Sequence, residues 1–298
     1  YAWERVIESS VSLNNNIITQ GDIAQGSFFA KIGWEIPTAF DPSTGGVTAT
    51  KTLDGTGYGI GVISDSYDYL GGAAQDITDG ELPAIPAANI TDILPYLSGT
   101  DEGRGMLQII HDIAPGAELF FRTGFISEYD FAQGIIDLAN NPDVDIIVDD
   151  LSYLKEPYFK DGIVSQAIDY AVNTMNKYYF SAAGNFGNKS FEGTFSPVPT
   201  ADPTVYRHQF DAAGDVLNQM QVSDGLYVLG LQWDDKWYSL GELPGSEIDL
   251  DIYLADAAGN KLFGYNWIGV DPIELLYFRV LNPTTTYLMI EQVVAPGE

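Results

Sequence analysis

The period of the hydrophobic pattern changes once along this chain, and no other sequence feature limits its fold as much. From Gly55 to about residue 200, short apolar runs alternate with segments whose apolar residues recur at helical spacing. Tyr58-Gly59-Ile60-Gly61-Val62-Ile63 has the length and character of a buried parallel strand. A helical pattern starts near Glu102, with Met106, Ile109, Ile110 and Ile113 sharing a face and Pro115-Gly116 as its stop. Glu118-Leu119-Phe120-Phe121 reads as the next strand. Residues 127–139 are helical in pattern through Phe131, Ile135, Ile136 and Leu138, and lead to strand Asp145-Ile146-Ile147-Val148. A third helix over roughly 161–175 precedes strand Tyr178-Tyr179-Phe180. Such alternation predicts an α/β fold with a parallel sheet flanked by helices, whose chemistry sits at the carboxyl ends of the strands. The loops after Ile63, Val148 and Phe180 are therefore where function is expected.

Beyond residue 200 the period becomes two. The runs Tyr227-Val228-Leu229-Gly230-Leu231-Gln232-Trp233 and Asp249-Leu250-Asp251-Ile252-Tyr253-Leu254 alternate, and turns such as Ala258-Gly259-Asn260 and Asn282-Pro283-Thr284 separate the runs. This pattern predicts an antiparallel β-sandwich over 201–298, jelly-roll-like, with Leu229, Leu231 and Leu250 inward. Residues 1–54 include the polar stretch Ser12-Leu13-Asn14-Asn15-Asn16 and the turn-rich Asp41-Pro42-Ser43-Thr44-Gly45-Gly46. They read as an irregular N-terminal arm laid over the 55–200 domain.

Charge removes some classes of partner. Forty-two acidic against 13 basic side chains give a formal charge of −29, which repels phosphate backbones and anionic membranes, so no nucleic acid partner is expected. A solvated outer surface has the same character, so the charge names no function. With no cysteine, disulfides and thiolate metal sites are excluded, and zinc would have to use His111, His208 and carboxylates. No apolar run reaches about eighteen residues, so no membrane span is expected. The chain opens on Tyr1 without a signal-peptide pattern, as a mature or trimmed chain would.

Three short segments beside predicted strand ends carry polar residues of catalytic type. Val62-Ile63-Ser64-Asp65-Ser66-Tyr67-Asp68 runs from strand into turn. Asp101-Glu102-Gly103-Arg104-Gly105-Met106 opens the first helix, which ends in Asp112-Ile113-Ala114-Pro115-Gly116-Ala117. Ser181-Ala182-Ala183-Gly184-Asn185-Phe186-Gly187 follows the last strand. In this order they resemble the subtilisin-like serine peptidases, over about residues 55–187. The resemblance implies that Asp65, with Asp68 second, is the catalytic aspartate and that Asn185 donates a hydrogen bond to the oxyanion. It places Glu102 where the family has its histidine. Glutamate there is similar to the sedolisins, acid peptidases of the same fold that use glutamate, aspartate and serine. The likeness is partial, because sedolisins carry their acid pair one helical turn apart and replace the asparagine by aspartate. Here Met106 stands four residues after Glu102 and Asn185 is retained, so the second acid would be Asp65.

A carboxylate can accept a serine proton where histidine normally does. An ordinary glutamate, with a pKa of about 4.3, is a weak base at neutral pH, and a helix N-terminus favours its anion further. Burial beside Asp65 works the other way, since two carboxylates in one site do not both ionise easily. Activity on the acid side of neutrality is the expectation. His111, near the helix end, and His208, in the linker to the sandwich, have no such context.

The resemblance also calls for a glycine-threonine-serine segment opening a later helix, and none occurs among the 298 residues. Gly193-Thr194-Phe195-Ser196 comes too soon after Asn185 and precedes a proline-rich stretch. The family admits a β-domain inserted between the asparagine and serine segments, and residues 201–298 resemble such an insert. The expectation is the N-terminal portion of a secreted or cell-surface endopeptidase acting on peptide or protein substrates, inactive alone. Its serine would lie on a second chain, have been removed, or have been lost. Two other classes stay open: a non-catalytic structural or filament subunit using the fold as a scaffold, and a binding module presenting Trp233, Trp237, Tyr253 and Trp267. Asp249 and Asp251 share a strand face, and with Asp234, Asp235 and Asp256 they are candidate calcium ligands or a solvated polar face.

Overall fold

The computed structural model describes residues 2–6, 36–51, 53–187, 189–264 and 269–294, so the polar stretch at 12–16 and Trp267 lie outside the described residues. The chain divides into two compact units, one of Ser12–Tyr153 and Ile163–Ala183, the other of Tyr1–Val11, Leu154–Gly162 and Gly184–Glu298. The division falls at Gly184 where the sequence pattern put it near 200, because residues 197–199 already pair into the second unit.

Strand β1 (Ala2–Val6) pairs antiparallel with a strand of the second unit, Ala2 opposite Gly230. The N-terminus therefore supplies a strand to the β-rich unit, where an arm over the α/β unit was expected. Strand pairing satisfies backbone groups in a way that local sequence does not reveal.

In the first unit, β2 (Ile36–Asp41) and β3 (Gly46–Lys51) form a hairpin. A five-stranded sheet follows, built of β4 (Gly59–Ser64), β5 (Ile90–Thr91), β6 (Glu118–Thr123), β7 (Ile146–Asp149) and β8 (Tyr178–Ser181). Its order is β5-β6-β4-β7-β8, and every pairing is parallel. The helices are α1 (Ala73–Asp79), α2 (Glu102–Ile113), α3 (Glu128–Asn140) and α4 (Ile163–Asp169), the last running on through a π-type turn to Thr174. Ser127 caps α3 by accepting from the Asp130 amide at 3.1 Å.

Alternation along the strands sends residues to both faces of the sheet. Val62, Leu119 and Phe121 pack with Met106, Leu107 and Ile110 of α2, whereas Ile63, Phe120 and Ile147 pack with Phe131, Ile135 and Leu138 of α3 and Val164 of α4. Both faces are thus covered, as the continuous apolar runs require. Ile109, expected on the inner face of α2, is exposed, and Leu107 is buried in its stead. The inward stripe runs through positions 103, 104, 107 and 108, and a step of two residues along a helix turns Ile109 away from it.

The chain leaves β4 to build β5 and β6 on one side and then crosses to build β7 and β8 on the other. That reversal makes the carboxyl end of β4 a topological switch point, the place where such sheets hold their ligands.

The second unit is antiparallel throughout. Its strands are β9 (Pro197–Pro199), β10 (Val205–His208), β11 (Asn218–Val222), β12 (Gly225–Gln232), β13 (Asp249–Ala255), β14 (Lys261–Gly264), β15 (Ile273–Val280) and β16 (Thr284–Val293). They form a three-stranded sheet, β1-β12-β15, and a six-stranded sheet, β14-β13-β16-β10-β9 with β11 also on β16. Leu229, Leu231 and Leu250 are buried together with Ile252, Leu276 and Ile290, which is the register that the alternation predicted. No helix among the described residues is long and apolar enough to cross a membrane.

One carboxyl group disturbs this core. Glu274 on β15 stands opposite Leu231 and shares the face of Leu276, so it points inward. Burial, then the charges of Asp251 and Asp249, push it up to about 7. The folded state thus holds this proton more tightly than the unfolded chain does. Its contribution is fully present below the ordinary value of 4.5 and is lost as pH rises towards about 7. Exposed turn carboxylates such as Asp202 and Asp256 are shifted the other way, so their contribution is fully present above 3.8 and does not change between pH 5 and 7.5. Thermal unfolding should accordingly show a higher Tm near pH 5 than near pH 7.5, and Glu274→Gln should flatten that slope by raising the Tm at pH 7.5. A Tm that climbs from pH 5 to 7.5, or a slope indifferent to Glu274→Gln, would contradict this account.

Candidate active site

The site begins with a buried cation. Arg104, in the first turn of α2, is only 3% exposed. Its Nε lies 2.8 Å from Asp76 Oδ2, and its Nη1 lies 2.5 Å from Asp101 Oδ2 and 3.3 Å from Asp68 Oδ1. Nη1 also donates to the Tyr67 carbonyl at 2.7 Å. One guanidinium therefore ties α2 to the loop after β4 and to α1.

The same loop is stitched by carboxylates that accept from backbone amides. Asp101 accepts from the amides of Tyr69 and Leu70 at 2.7 and 3.1 Å and from Ser66 Oγ at 2.9 Å. Asp92 accepts from the amides of Tyr67 and Asp68 at 2.7 and 2.9 Å. Asp101 holds a left-handed conformation, φ 59°, which a short polar residue tolerates better than most. Gly103 completes the junction, because a Cβ there would collide with the Phe121 ring and the Ser66 carbonyl. Only glycine lets α2 start this close to the sheet.

Asp65 is the product of this bracing. It follows the last residue of β4, its carbonyl accepts from Thr123 Oγ1 at 2.6 Å, and its side chain is buried. The two carboxylate oxygens accept four hydrogen bonds, from the amides of Ser66, Thr100 and Glu102 and from Thr100 Oγ1. The bond from the Glu102 amide, 3.0 Å, joins Asp65 to the N-terminus of α2. The structure thus brings together two of the three expected site residues.

Glu102 is exposed on one side, and Asp150, the residue after β7, is close enough to act on its carboxyl group. Partial burial, then the charges of Asp150 and Asp65, raise the Glu102 carboxyl above the ordinary glutamate value, with solvent on the open side screening the effect. Burial also raises Asp150, against the pull of Ser64 beside it. Asp149, 2% exposed, is raised by burial as well, and it accepts from Ser181 Oγ at 3.0 Å.

The sequence pattern points to the loop after Val148 without singling out Asp150; the doublet Asp149-Asp150, ending an otherwise apolar run, is the signal that marks it.

Asn185 is exposed in the bend that follows β8 and is counted with the β-rich unit, whereas Asp65 and Glu102 belong to the α/β unit. Asp68 serves Arg104 and accepts from the Ala73 amide at 3.0 Å. His111 is half-buried in the last turn of α2. His208, expected in a linker, is buried in β10 between Phe195 and Phe210, and its Nδ1 accepts from the Ser196 amide at 3.1 Å.

Three of the five candidate calcium ligands, Asp235, Asp251 and Asp256, have other occupations. Asp251 is fully buried and accepts from the Tyr253 hydroxyl at 3.1 Å. Asp235 takes the amides of Lys236, Glu247 and Ile248, and Asp256 closes its own turn onto Ala258 and Asn260. No group of three or more His, Cys, Asp or Glu side chains that could hold a metal occurs among the described residues, and Asp249 and Asp251 make no such group. Of the aromatic residues, Trp237 and Tyr253 are buried, and the half-buried Trp233 donates from its indole to Ser246 Oγ at 3.1 Å.

No protein-family model matches this chain, and none of the curated proteins is similar to it.

Removing the Arg104 charge should leave Asp76 and Asp101 buried without their counter-ion. Arg104→Met is expected to cost about 3–5 kcal/mol in denaturant unfolding, the range for breaking a buried ion pair from one side. A loss below about 1 kcal/mol, the level of an exposed pair, would show that the cation does not organise the site.

Proposed function

We propose that the α/β unit is the acid–base part of a serine endopeptidase of subtilisin and sedolisin type, with Glu102 as its base. The observation that carries this reading is the position of Glu102. It opens a helix at the carboxyl edge of a parallel sheet, with its amide bonded to Asp65 and its carboxyl group under the charges of Asp150 and Asp65. In this reading the hydroxyl of a serine from outside these 298 residues attacks the scissile carbonyl. Glu102 takes the hydroxyl proton as the carbon–oxygen bond forms, and then delivers it to the leaving amine. Asp65 positions Glu102 through the helix amide. Asn185 donates to the oxyanion, as the resemblance to the family implies.

The β-rich unit is then the inserted sandwich, the substrate is a peptide or protein, and the location is outside the cell. Glu102 must be ionised to accept the proton, so its raised pKa sets the acid limb of the pH profile, and a maximum below neutrality is what the resemblance to the sedolisins implies.

This chain alone should not cleave peptides. Supplied with the downstream serine segment, in one chain or as a second chain, it should cleave with a maximum below neutrality. Glu102→Gln should then reduce kcat by about 10²–10⁴-fold, the usual contribution of a general base. Cleavage that is indifferent to Glu102→Gln would remove Glu102 from the mechanism, and a complete lack of cleavage would favour a non-catalytic scaffold.

A further inference from the structure

A cavity of about 640 Å³ opens in the β-rich unit between the margins of its two sheets. Strand β15 is the last in the three-stranded sheet and β14 the last in the six-stranded one, and both line the cavity. Phe278 and Val280 of β15 form one wall, and Leu254 of β13 and Phe263 of β14 the other. Its volume and apolar lining suit hydrophobic groups.

The free edge of β15 borders the same space. The Trp233 amide donates to the Pro272 carbonyl at 3.3 Å, one step beyond the pair Gln232–Ile273. Hydrogen-bonded pairs recur at every second residue of an antiparallel ladder, so residues 274, 276, 278 and 280 bond to β12. The N–H and C=O groups of Leu275, Tyr277 and Arg279 therefore turn away from β12, and no strand pairs with them among the described residues. Tyr277 and Arg279 are exposed and line the cavity. No proline stands at these positions to close the edge. Arg279 adds a charge. Arg104, Arg122 and Arg207 are each paired with carboxylates, whereas Arg279 has no carboxylate partner among the described residues. In a chain with 42 acidic side chains against 13 basic ones, a cation left unpaired beside an apolar cavity favours an anionic group from elsewhere.

We propose that β15 binds an extended peptide segment as a fourth strand of its sheet, with apolar residues entering the cavity and an acidic residue set beside Arg279. Open N–H and C=O groups along an edge hold the backbone of such a strand, and pockets for alternate side chains select its sequence. Side chains opposite Tyr277 and Arg279 share their outer face, and those between them point inward with Phe278 and Val280. The segment that fits therefore alternates acidic with apolar residues. Binding there needs neither Glu102 nor a serine, so the site stands apart from the peptidase reading.

The test follows amide hydrogen exchange in the 298-residue chain with an acetylated and amidated hexapeptide of alternating valine and glutamate. Added peptide should slow exchange at Tyr277 and Arg279 about tenfold or more and leave Phe278, already bonded to β12, unchanged. Methylating the peptide nitrogens of one alternate set should abolish the effect and methylating the other should not, because only one set faces β15. Arg279→Glu, a change at an exposed side chain, should weaken binding of this peptide about tenfold or more and admit the valine–lysine peptide in its place. Unprotected edge amides at saturating peptide, binding indifferent to both methylations, or affinity unchanged by Arg279→Glu overturns the proposal. Decanoate that occupies the cavity where the peptide does not would assign it to a small amphiphile and overturn the proposal as well. Protection of Tyr277 and Arg279 that rises with chain concentration in the absence of peptide would make a second copy the occupant, with the same consequence.

Discussion

A guanidinium buried at the start of a helix is the feature on which the rest of the α/β unit depends. Taking such a charge out of water costs several kcal/mol, and Arg104 is tolerable only because Asp68, Asp76 and Asp101 surround it. Those acids come from three different places in the chain, the loop after β4, α1 and the residue before α2. Satisfying the cation therefore fixes all three against one another. Asp65, immediately before that loop, is left facing the first amides of α2. The glycine at 103 lets the helix come close enough for the bond to form.

Acids in this protein do two kinds of work. Asp65, Asp92, Asp101, Asp235 and Asp256 accept from backbone amides and so close turns and helix starts that would otherwise leave donors unpaired. Glu102, Asp150, Asp149 and Glu274 instead lie where burial and other acids resist their ionisation. The first kind closes the turns and helix starts of the fold, and the second is held back from ionising. The net charge of −29 is therefore not only a solvated shell, since part of it is structural and part is poised to change with pH.

The strands β4, β6, β7 and β8 and the helices α2 and α3 were legible because each depends on its own residues. Apolar runs such as 58–63 and helical spacing such as that of Phe131, Ile135 and Leu138 state their preference locally, and the structure places these elements within a residue or two of the pattern. The inward faces of Leu229, Leu231 and Leu250 followed from alternation for the same reason. Ile109 was misjudged because α2 carries more apolar residues than its contact stripe uses, and spacing alone could not say which subset meets the sheet.

By itself, the sequence determined the period of each segment, hence a parallel α/β unit and an antiparallel unit, and it marked the strand ends where polar residues gather. Only the tertiary structure decided the pairings across long stretches of chain. It took β1 into the β-rich unit through pairing with β12. It filled Asp65 with hydrogen bonds from residues 100 and 102, and it brought the charge of Asp150 to bear on Glu102. Which carboxyl group accepts from an amide and which meets another acid depends on strand order and register. Those are settled by how the whole sheet buries its two faces, and no window of neighbouring residues contains that information.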